Sequence, residues 1–424
     1  KRREIDITVD VTPSLLHTVK TGIGGELDVI RADIHGVLGW ESRNFFGGLR
    51  RVNVTWKPGI VLFPTVLPSL ERPTNYLPES RVKAELRQPG LFEPRTGGML
   101  RGEFSIYPVL LRPVNKEVIL GYKELKSSIG VDRSFFKNHL YVSSFYNFQA
   151  YFPFTYKGPL SNDLTNVVVR YWELETNLSF RDSEVRPKKG VYLGNNFQLA
   201  GYLTGGSVKD IKIQPDLRFY VPISKRVTLA WRGSVGFLFP QNYGDTLLHS
   251  VPESGDLQLL YFRAFFSGGS TSNRGYPFRG VGPHGVAPFF EPNIVAASSL
   301  REECNTASAN YDETVCAVPL GGLSLWESSF ELRFDVYGAL GAAVFLDGSD
   351  VSRRTRTIRL NYPHLSTGAG LRVDTPVGAI RADIGYRLPG LQKIGGELDP
   401  AVDGKPGDFW GAPIALSIGV GEAF

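Results

Sequence analysis

Cys304 and Cys316 are the only thiols among 424 residues, and both lie in one long connecting stretch. In an oxidising compartment such a pair closes a small loop as a disulfide and restricts the unfolded chain; two reduced thiols are the alternative. The histidines His17, His35, His139, His249, His284 and His364 are scattered without metal-ligand spacing, so no metal is expected. The chain contains no Gly-x-Ser-x-Gly elbow, no His-Glu-x-x-His and no P-loop. Its acids recur at every second position, which makes any choice of a catalytic dyad arbitrary. No catalytic residue, no cofactor and no enzyme activity are expected, a barrel-borne lipase or protease being the remaining enzymatic reading.

That alternation is the dominant signal. Phe330, Leu332, Phe334 and Val336 alternate with Glu331, Arg333 and Asp335; Ile380, Ala382, Ile384, Tyr386 and Leu388 alternate with Arg381, Asp383, Gly385 and Arg387. Trp172, Leu174, Leu178 and Phe180 do so against Glu173, Glu175, Asn177, Ser179 and Arg181, and Val52, Val54 and Trp56 against Arg51, Asn53, Thr55 and Lys57. A helix would scatter each set around its circumference, whereas a strand puts one set on each face. These segments predict strands.

Sixteen such segments are expected, at about 18–28, 33–43, 48–62, 80–90, 98–110, 118–129, 137–153, 165–181, 190–203, 208–221, 225–238, 325–337, 340–348, 366–375, 378–388 and 413–424. Many reach the nine to eleven or so residues that a tilted strand needs to cross a bilayer, beyond the five or six usual in soluble sheets. Connections alternate in length. Asn44 to Gly48, Ser183 to Lys189 and Pro376 to Gly378 are short, while the long ones fall at about 63–79, 239–324 and 389–412. With the first strand rising from the periplasm, every long loop lies outside the cell, as in an outer-membrane barrel. The fold class expected is therefore all-β, a sixteen-stranded antiparallel transmembrane β-barrel. A soluble sandwich or propeller would also alternate, but long strands, asymmetric loops and the lack of a 40-residue repeat argue against both.

Composition agrees. Hydrophobic content of 42% and no apolar run of eighteen residues leave no transmembrane helix, yet a barrel hides its hydropathy by alternation. The net charge of +5 is spread along the chain without a basic block, which speaks against nucleic-acid binding. The sequence begins at Lys1 without a Met or an apolar signal core, and is expected to be a mature or truncated product.

Four motifs resemble one family. The segment Gly268-Gly269-Ser270-Thr271-Ser272-Asn273-Arg274-Gly275-Tyr276, continuing to Arg279-Gly280-Val281-Gly282-Pro283, resembles the Arg-Gly-aromatic stretch in the sixth extracellular loop of the BamA/TamA assembly barrels and of two-partner secretion transporters such as FhaC. Arg181-Asp182 with Pro187 and Gly190 resembles the family's turn between the eighth and ninth strands. Gly368-x-Gly370-Leu371-Arg372, Pro376-Val377-Gly378 and Arg381-x-Asp383 are similar to its penultimate hairpin. Phe424, ending the alternation Ile414, Leu416, Ile418 and Val420, is similar to its C-terminal signal.

The resemblance implies that the sixth loop, about 239–324, folds back into the lumen, and that Arg274 pairs there with Glu331 and Asp347. Asp347 sits in Phe345-Leu346-Asp347-Gly348, similar to the family's Phe-x-Asp-x-Gly segment with the Gly displaced by one. A guanidinium suits the role because it is always charged and presents a planar fork to carboxylates. Gly275 is expected to allow the backbone turn and Tyr276 to pack the loop tip, while Asn273 stands where the family usually carries Val or Ile. Residues 1–13, where Ile5, Ile7, Val9 and Val11 alternate before Pro13, read as the end of a truncated periplasmic POTRA domain or as an extension of the barrel, which itself takes 14–424.

Gly22, Gly24 and Gly25 in the first strand and Gly419 and Gly421 in the last weaken both, because glycine inside a strand loosens it. Either these strands form a lateral seam that opens to clients, or the glycines relieve crowding in the lumen. The resemblance implies insertion of β-barrel proteins into the outer membrane, with lipids, unfolded barrel or secreted clients and periplasmic accessory subunits as partners. A TamA-like or two-partner secretion role and a passive porin are the rival readings.

Overall fold

The computed structural model describes residues 15–27, 31–66, 70–110, 118–248, 253–285, 295–296, 299–300, 318–375, 378–388 and 412–420. Sixteen strands form one sheet in chain order: β1 (His17–Leu27), β2 (Ala32–Ser42), β3 (Arg51–Phe63), β4 (Asn75–Gln88), β5 (Thr96–Pro108), β6 (Ile119–Phe135), β7 (Leu140–Lys157), β8 (Val167–Ser179), β9 (Gly190–Ala200), β10 (Asp210–Ser224), β11 (Val227–Pro240), β12 (Ser324–Tyr337), β13 (Leu340–Ser352), β14 (His364–Thr375), β15 (Gly378–Arg387) and β16 (Ile414–Val420). Every neighbour pair is antiparallel, and β11 pairs with β12 across the whole sixth loop.

All sixteen expected strands are present. The largest differences are at β4, which starts five residues earlier than its alternation indicates, and at β6, which runs six residues further, up to the tight turn at Phe136–Asn138. There Ser134 pairs with Tyr141 and Phe135 with Leu140, so backbone pairing carries the hairpin past the point where side-chain alternation fades. The expected POTRA end at 1–13, Cys304, Cys316, Gly421 and Phe424 lie outside the described residues.

The sheet is apolar on the outside and polar within. Phe219, Trp231, Phe330 and Leu346 stand side by side across β10–β13, and Phe330 is 48% exposed. Its neighbour Glu331, on the opposite face, is fully buried. A water-soluble sheet would reverse this. An outward apolar band around a polar interior suits hydrocarbon, where a sheet whose backbone groups pair between strands is one of two stable ways to cross.

The sixth loop fills the end of the lumen from which it springs. Its helix α1 (Ser254–Arg263) was not legible as such in the sequence. Asp256 fixes the approach to α1 by accepting the Gly244 and Thr246 N–H groups, and Leu257 and Leu260, one turn apart, pack against Tyr122, Val167, Val169 and Leu238 of the wall. At the end of α1, Arg263 forks onto Asp210 of β10 at 2.6 and 3.0 Å.

At the other end of the barrel, the β8–β9 turn folds inward. Asp182 accepts the Lys188 and Lys189 N–H groups, and Gly190 is required because a Cβ there would lie 2.1 Å from the Phe180 carbonyl oxygen. The turn is tied to β12 by Arg186 and Lys188, which reach Asp335 at 2.7 and 2.5 Å. These groups are partly solvated, so the pairs contribute under about 1 kcal/mol. Asp335→Asn is expected to leave barrel stability unchanged but to speed trypsin cleavage after Lys188 and Lys189, read by limited proteolysis.

Candidate functional site

Three residues of the sixth loop, Asn273, Arg274 and Gly275, lie flat on the inner wall of β12–β15. The wall there is built in rows of directly opposed residues. One row runs Ser329, Asp347, Ser366 and Arg387; the next runs Glu331, Phe345, Gly368 and Gly385. The second row is bulky on β12 and β13 and bare on β14 and β15. This step in height forms a trough. The Phe345 ring lies over Gly368, where a Cβ would come within 2.4 Å of it.

Arg274 occupies the trough and is 2% exposed. Its Nε and Nη2 donate to the two oxygens of Asp347, both at 2.8 Å, and its backbone N–H donates to the same carboxylate at 3.0 Å. Nη1 donates to Glu331, and the guanidinium lies 3.5 Å above the centre of the Phe345 ring. Ser329 completes the site by donating to Asp347 at 2.6 Å. Burial alone would lower the Arg274 pKa; the contacts with Asp347 and Glu331 outweigh it and hold the group above its ordinary value. The planar fork on one carboxylate, a second acid at its edge and an aromatic face beneath are a guanidinium environment that an ammonium would not fit.

The two acids are not equivalent. Glu331 also receives Arg333 at 2.8 Å and has Arg372 at 3.6 Å, so it keeps cationic partners whatever Arg274 does. Asp347 has Arg274 as its guanidinium partner. Below them Arg372 and Arg381 hold Asp383 at 2.5 and 3.0 Å, and Arg381 also donates to the Ser270 carbonyl of the loop at 2.7 Å.

The flanking loop residues explain themselves sterically. Gly275 was expected to allow a turn, but its backbone has no left-handed φ; the glycine is needed for space, since a Cβ would lie 2.3 Å from the Ser366 Cβ. Asn273, where an apolar residue was expected, is buried and hydrogen bonded throughout. It donates to Ser349 at 3.0 Å and to the His364 carbonyl at 2.7 Å, and accepts from Ser366 at 2.6 Å. Polar pairing thus replaces packing there. Tyr276 is buried edge-on against His364 with Arg387 near its ring.

The sequence reading placed Arg274, Glu331 and Asp347 together, and in the structure they touch. It did not assign Ser329, Arg333, Phe345, Ser366 or Gly385 to the site. Ser329, Arg333 and Phe345 stand two residues from a named acid on the same strand face and Ser366 directly opposite Asp347, which was the available signal, whereas Gly385 opposes Gly368 and carries none.

The first-strand glycines divide. Gly24 faces His35, and a Cβ would lie 2.6 Å from that ring; Gly25 lies close to the Asp33 carbonyl, while a Cβ at Gly22 would meet the Val37 Cβ at an ordinary 4.0 Å. His35 is held by Asp33 at 2.7 Å, and Asp33 by Arg31, which also reaches Glu79. At Gly24, then, the missing side chain makes room for the lumen network. Gly419 opposes Arg381 on β15. Among the described residues no pairing joins β1 to β16.

A barrel sheet of sixteen strands with an arginine of its longest loop docked on the inner wall defines a membrane-barrel class in which the lumen is occupied by the protein's own loop. The family model described as the Omp85 superfamily domain matches residues 133–397, and the chain belongs to that superfamily. In structure it is similar to BamA from Haemophilus ducreyi lacking POTRA domains 1–3, at TM-score 0.59 and 13% identity over 88% of this chain and 67% of that one. It is also similar to CdiB from Escherichia coli (TM-score 0.53, 12% identity, 89% of this chain) and CdiB from Acinetobacter baumannii (0.52, 10%, 90%). The chain spans 60% and 58% of those two CdiB chains, less than two thirds of each. By sequence, no curated protein matches it significantly.

Proposed function

We propose that this chain inserts β-barrel proteins into the bacterial outer membrane through a seam between β1 and β16. The observation that carries the reading is the state of those two strands. Among the described residues β1 pairs with β2 alone and β16 with β15 alone. β1 is exposed along most of its length, with Ile23 91% exposed. An edge of unpaired N–H and C=O groups is a template on which a client strand adds by β-augmentation. In this reading the Arg274 contacts latch the sixth loop inside the barrel. Residues 1–13 are the end of a POTRA domain that receives clients and accessory subunits from the periplasm.

A cysteine pair placed on β1 and β16 tests the seam. Oxidation is expected to stop client insertion in reconstituted vesicles and reduction to restore it; normal insertion with the strands locked would remove the gate from the mechanism. Depletion in the host followed by outer-membrane proteomics tests the client range, and broad loss of barrels is expected.

Translocation of one dedicated exported protein, TamA-like or by two-partner secretion, is the second reading. It is favoured by the likeness to the two CdiB structures and would give loss of one or a few proteins instead. A passive porin fits less well, because α1 and the Arg274 segment occupy the lumen that ions would need. Steady large conductance of the wild-type protein in a planar bilayer would favour the porin.

A further inference from the structure

Outside the lumen, one rim of the barrel carries a row of cations that the proposed function does not use. Arg170 on β8, Lys209 just before β10 and Arg356 in the β13–β14 connection all lie at the end from which the sixth loop springs. Alternation gives their direction. Val169 and Tyr171, flanking Arg170, belong to the buried core with the loop, and Asp210, next to Lys209, is fully buried, so Arg170 and Lys209 point outward. Phe239 shares the outward face of β11 with Trp231, beside inward Leu238.

Each cation sits on an aromatic ring. Arg170 lies 5.6 Å from the Phe148 ring centre, Lys209 4.9 Å from Tyr202 and Arg356 5.2 Å from Phe239. Ring faces hold a cation without neutralising it. The connections brace the row: Arg170 donates to the Thr204 carbonyl at 2.8 Å, and Gln241 donates to the Tyr202 hydroxyl. Among the described residues no carboxylate pairs with any of the three, whereas Arg359 of the same β13–β14 connection is engaged by Asp350 through two bonds of 2.9 Å. Arg354 and Arg356 are exposed beside it, as is Leu360.

Unpaired cations on an aromatic belt at the edge of an apolar band lie where lipid headgroups begin. We infer that this rim binds phosphate-bearing lipid headgroups of the outer leaflet, with Arg170, Lys209 and Arg356 as the phosphate ligands. The charge is complementary, the rings supply the apolar neighbour that acyl chains require, and the neutralising acids found beside the lumen arginines are missing here. The inference rests on the membrane-spanning reading of the barrel but not on the seam or the client.

The test uses the whole chain reconstituted in nanodiscs of phosphatidylcholine containing about one tenth bis-phosphorylated lipid A, the lipid retained after mild detergent extraction being quantified by mass spectrometry. Arg170→Gln, Lys209→Gln and Arg356→Gln combined are expected to weaken retention by about fivefold per cation, on the order of a hundredfold together. All three are outward surface positions, and heat-modifiable migration on gels verifies that the variant is folded. Equal retention by wild type and variant, or equal retention of dephosphorylated lipid A, overturns the inference. Displacement of the lipid by millimolar inorganic phosphate also overturns it, since the rim would then be a site for the free ion. Failure of the wild-type chain to enter any bilayer removes the membrane reading itself, and the rim with it.

Discussion

Arg274→Ala is expected to free the sixth loop from the wall and to lower client insertion at least tenfold. The variant leaves Asp347 buried with Ser329 as its remaining side-chain donor, while Glu331 keeps Arg333 and Arg372. Removing one partner of a buried pair costs about 3–5 kcal/mol because the other charge stays uncompensated. The ties that remain, from Arg381 to the Ser270 carbonyl, from Arg232 to the Thr271 carbonyl, from Asn273 and from Ser267 and Ser272 to Glu327, do not neutralise the charge left on Asp347. Trypsin cleavage after Arg279, packed on the Phe266 and Phe278 rings in the wild type, reports the release. The asymmetry of the acids gives an ordering: Asp347→Asn is expected to loosen the loop more than Glu331→Gln. Arg274→Lys should recover little, since one ammonium cannot serve both oxygens of Asp347 and the edge of Glu331 together. Wild-type protease resistance in Arg274→Ala would rule out the latch.

The second large effect comes from a residue with no side chain. Gly385→Ala places a Cβ 2.5 Å from the Arg274 carbonyl oxygen and 2.7 Å from the Gly275 nitrogen. Both neighbours are backbone, so no rotamer change relieves the clash, and the loop must lift off the wall. All the charged groups stay in place, yet the expected outcome is the same trypsin sensitivity at Arg279 and a comparable loss of insertion. Because both substitutions act through one event, Arg274→Ala combined with Gly385→Ala is expected to be no worse than Arg274→Ala alone, a non-additivity that a double-mutant cycle measures. Full additivity would mean that Gly385 serves the sheet and not the loop.

The strands were legible because lipid on one side and a polar lumen on the other force the same two-residue period on nearly every segment, from Val52 to Leu388. The acids of the site were legible for the same reason: Glu331 falls on the polar face by count. What the period cannot give is the height of neighbouring side chains across strands. The trough depends on Phe345 standing beside Gly368 and Gly385, a register relation among three strands that appears only when their pairing is known. Inside the sixth loop the two-residue period stops, and α1 is short and buried on several sides, so neither a strand nor a surface-helix pattern marks it. The glycines of β1 were ambiguous in the same way. Gly24 acquires a reason only once His35 is known to lie opposite.

Every wall group that receives Arg274 lies after it in the chain: Glu331 is 57 residues on and Asp347 is 73. While the polypeptide emerges from its amino end, β1 to β11 can pair as successive hairpins, but the arginine has nowhere to go until β12 and β13 exist and their register is correct. Engagement of the loop is therefore a late event in the barrel's own folding, and the moment at which Arg279 becomes resistant to trypsin dates the completion of the carboxy-terminal strands.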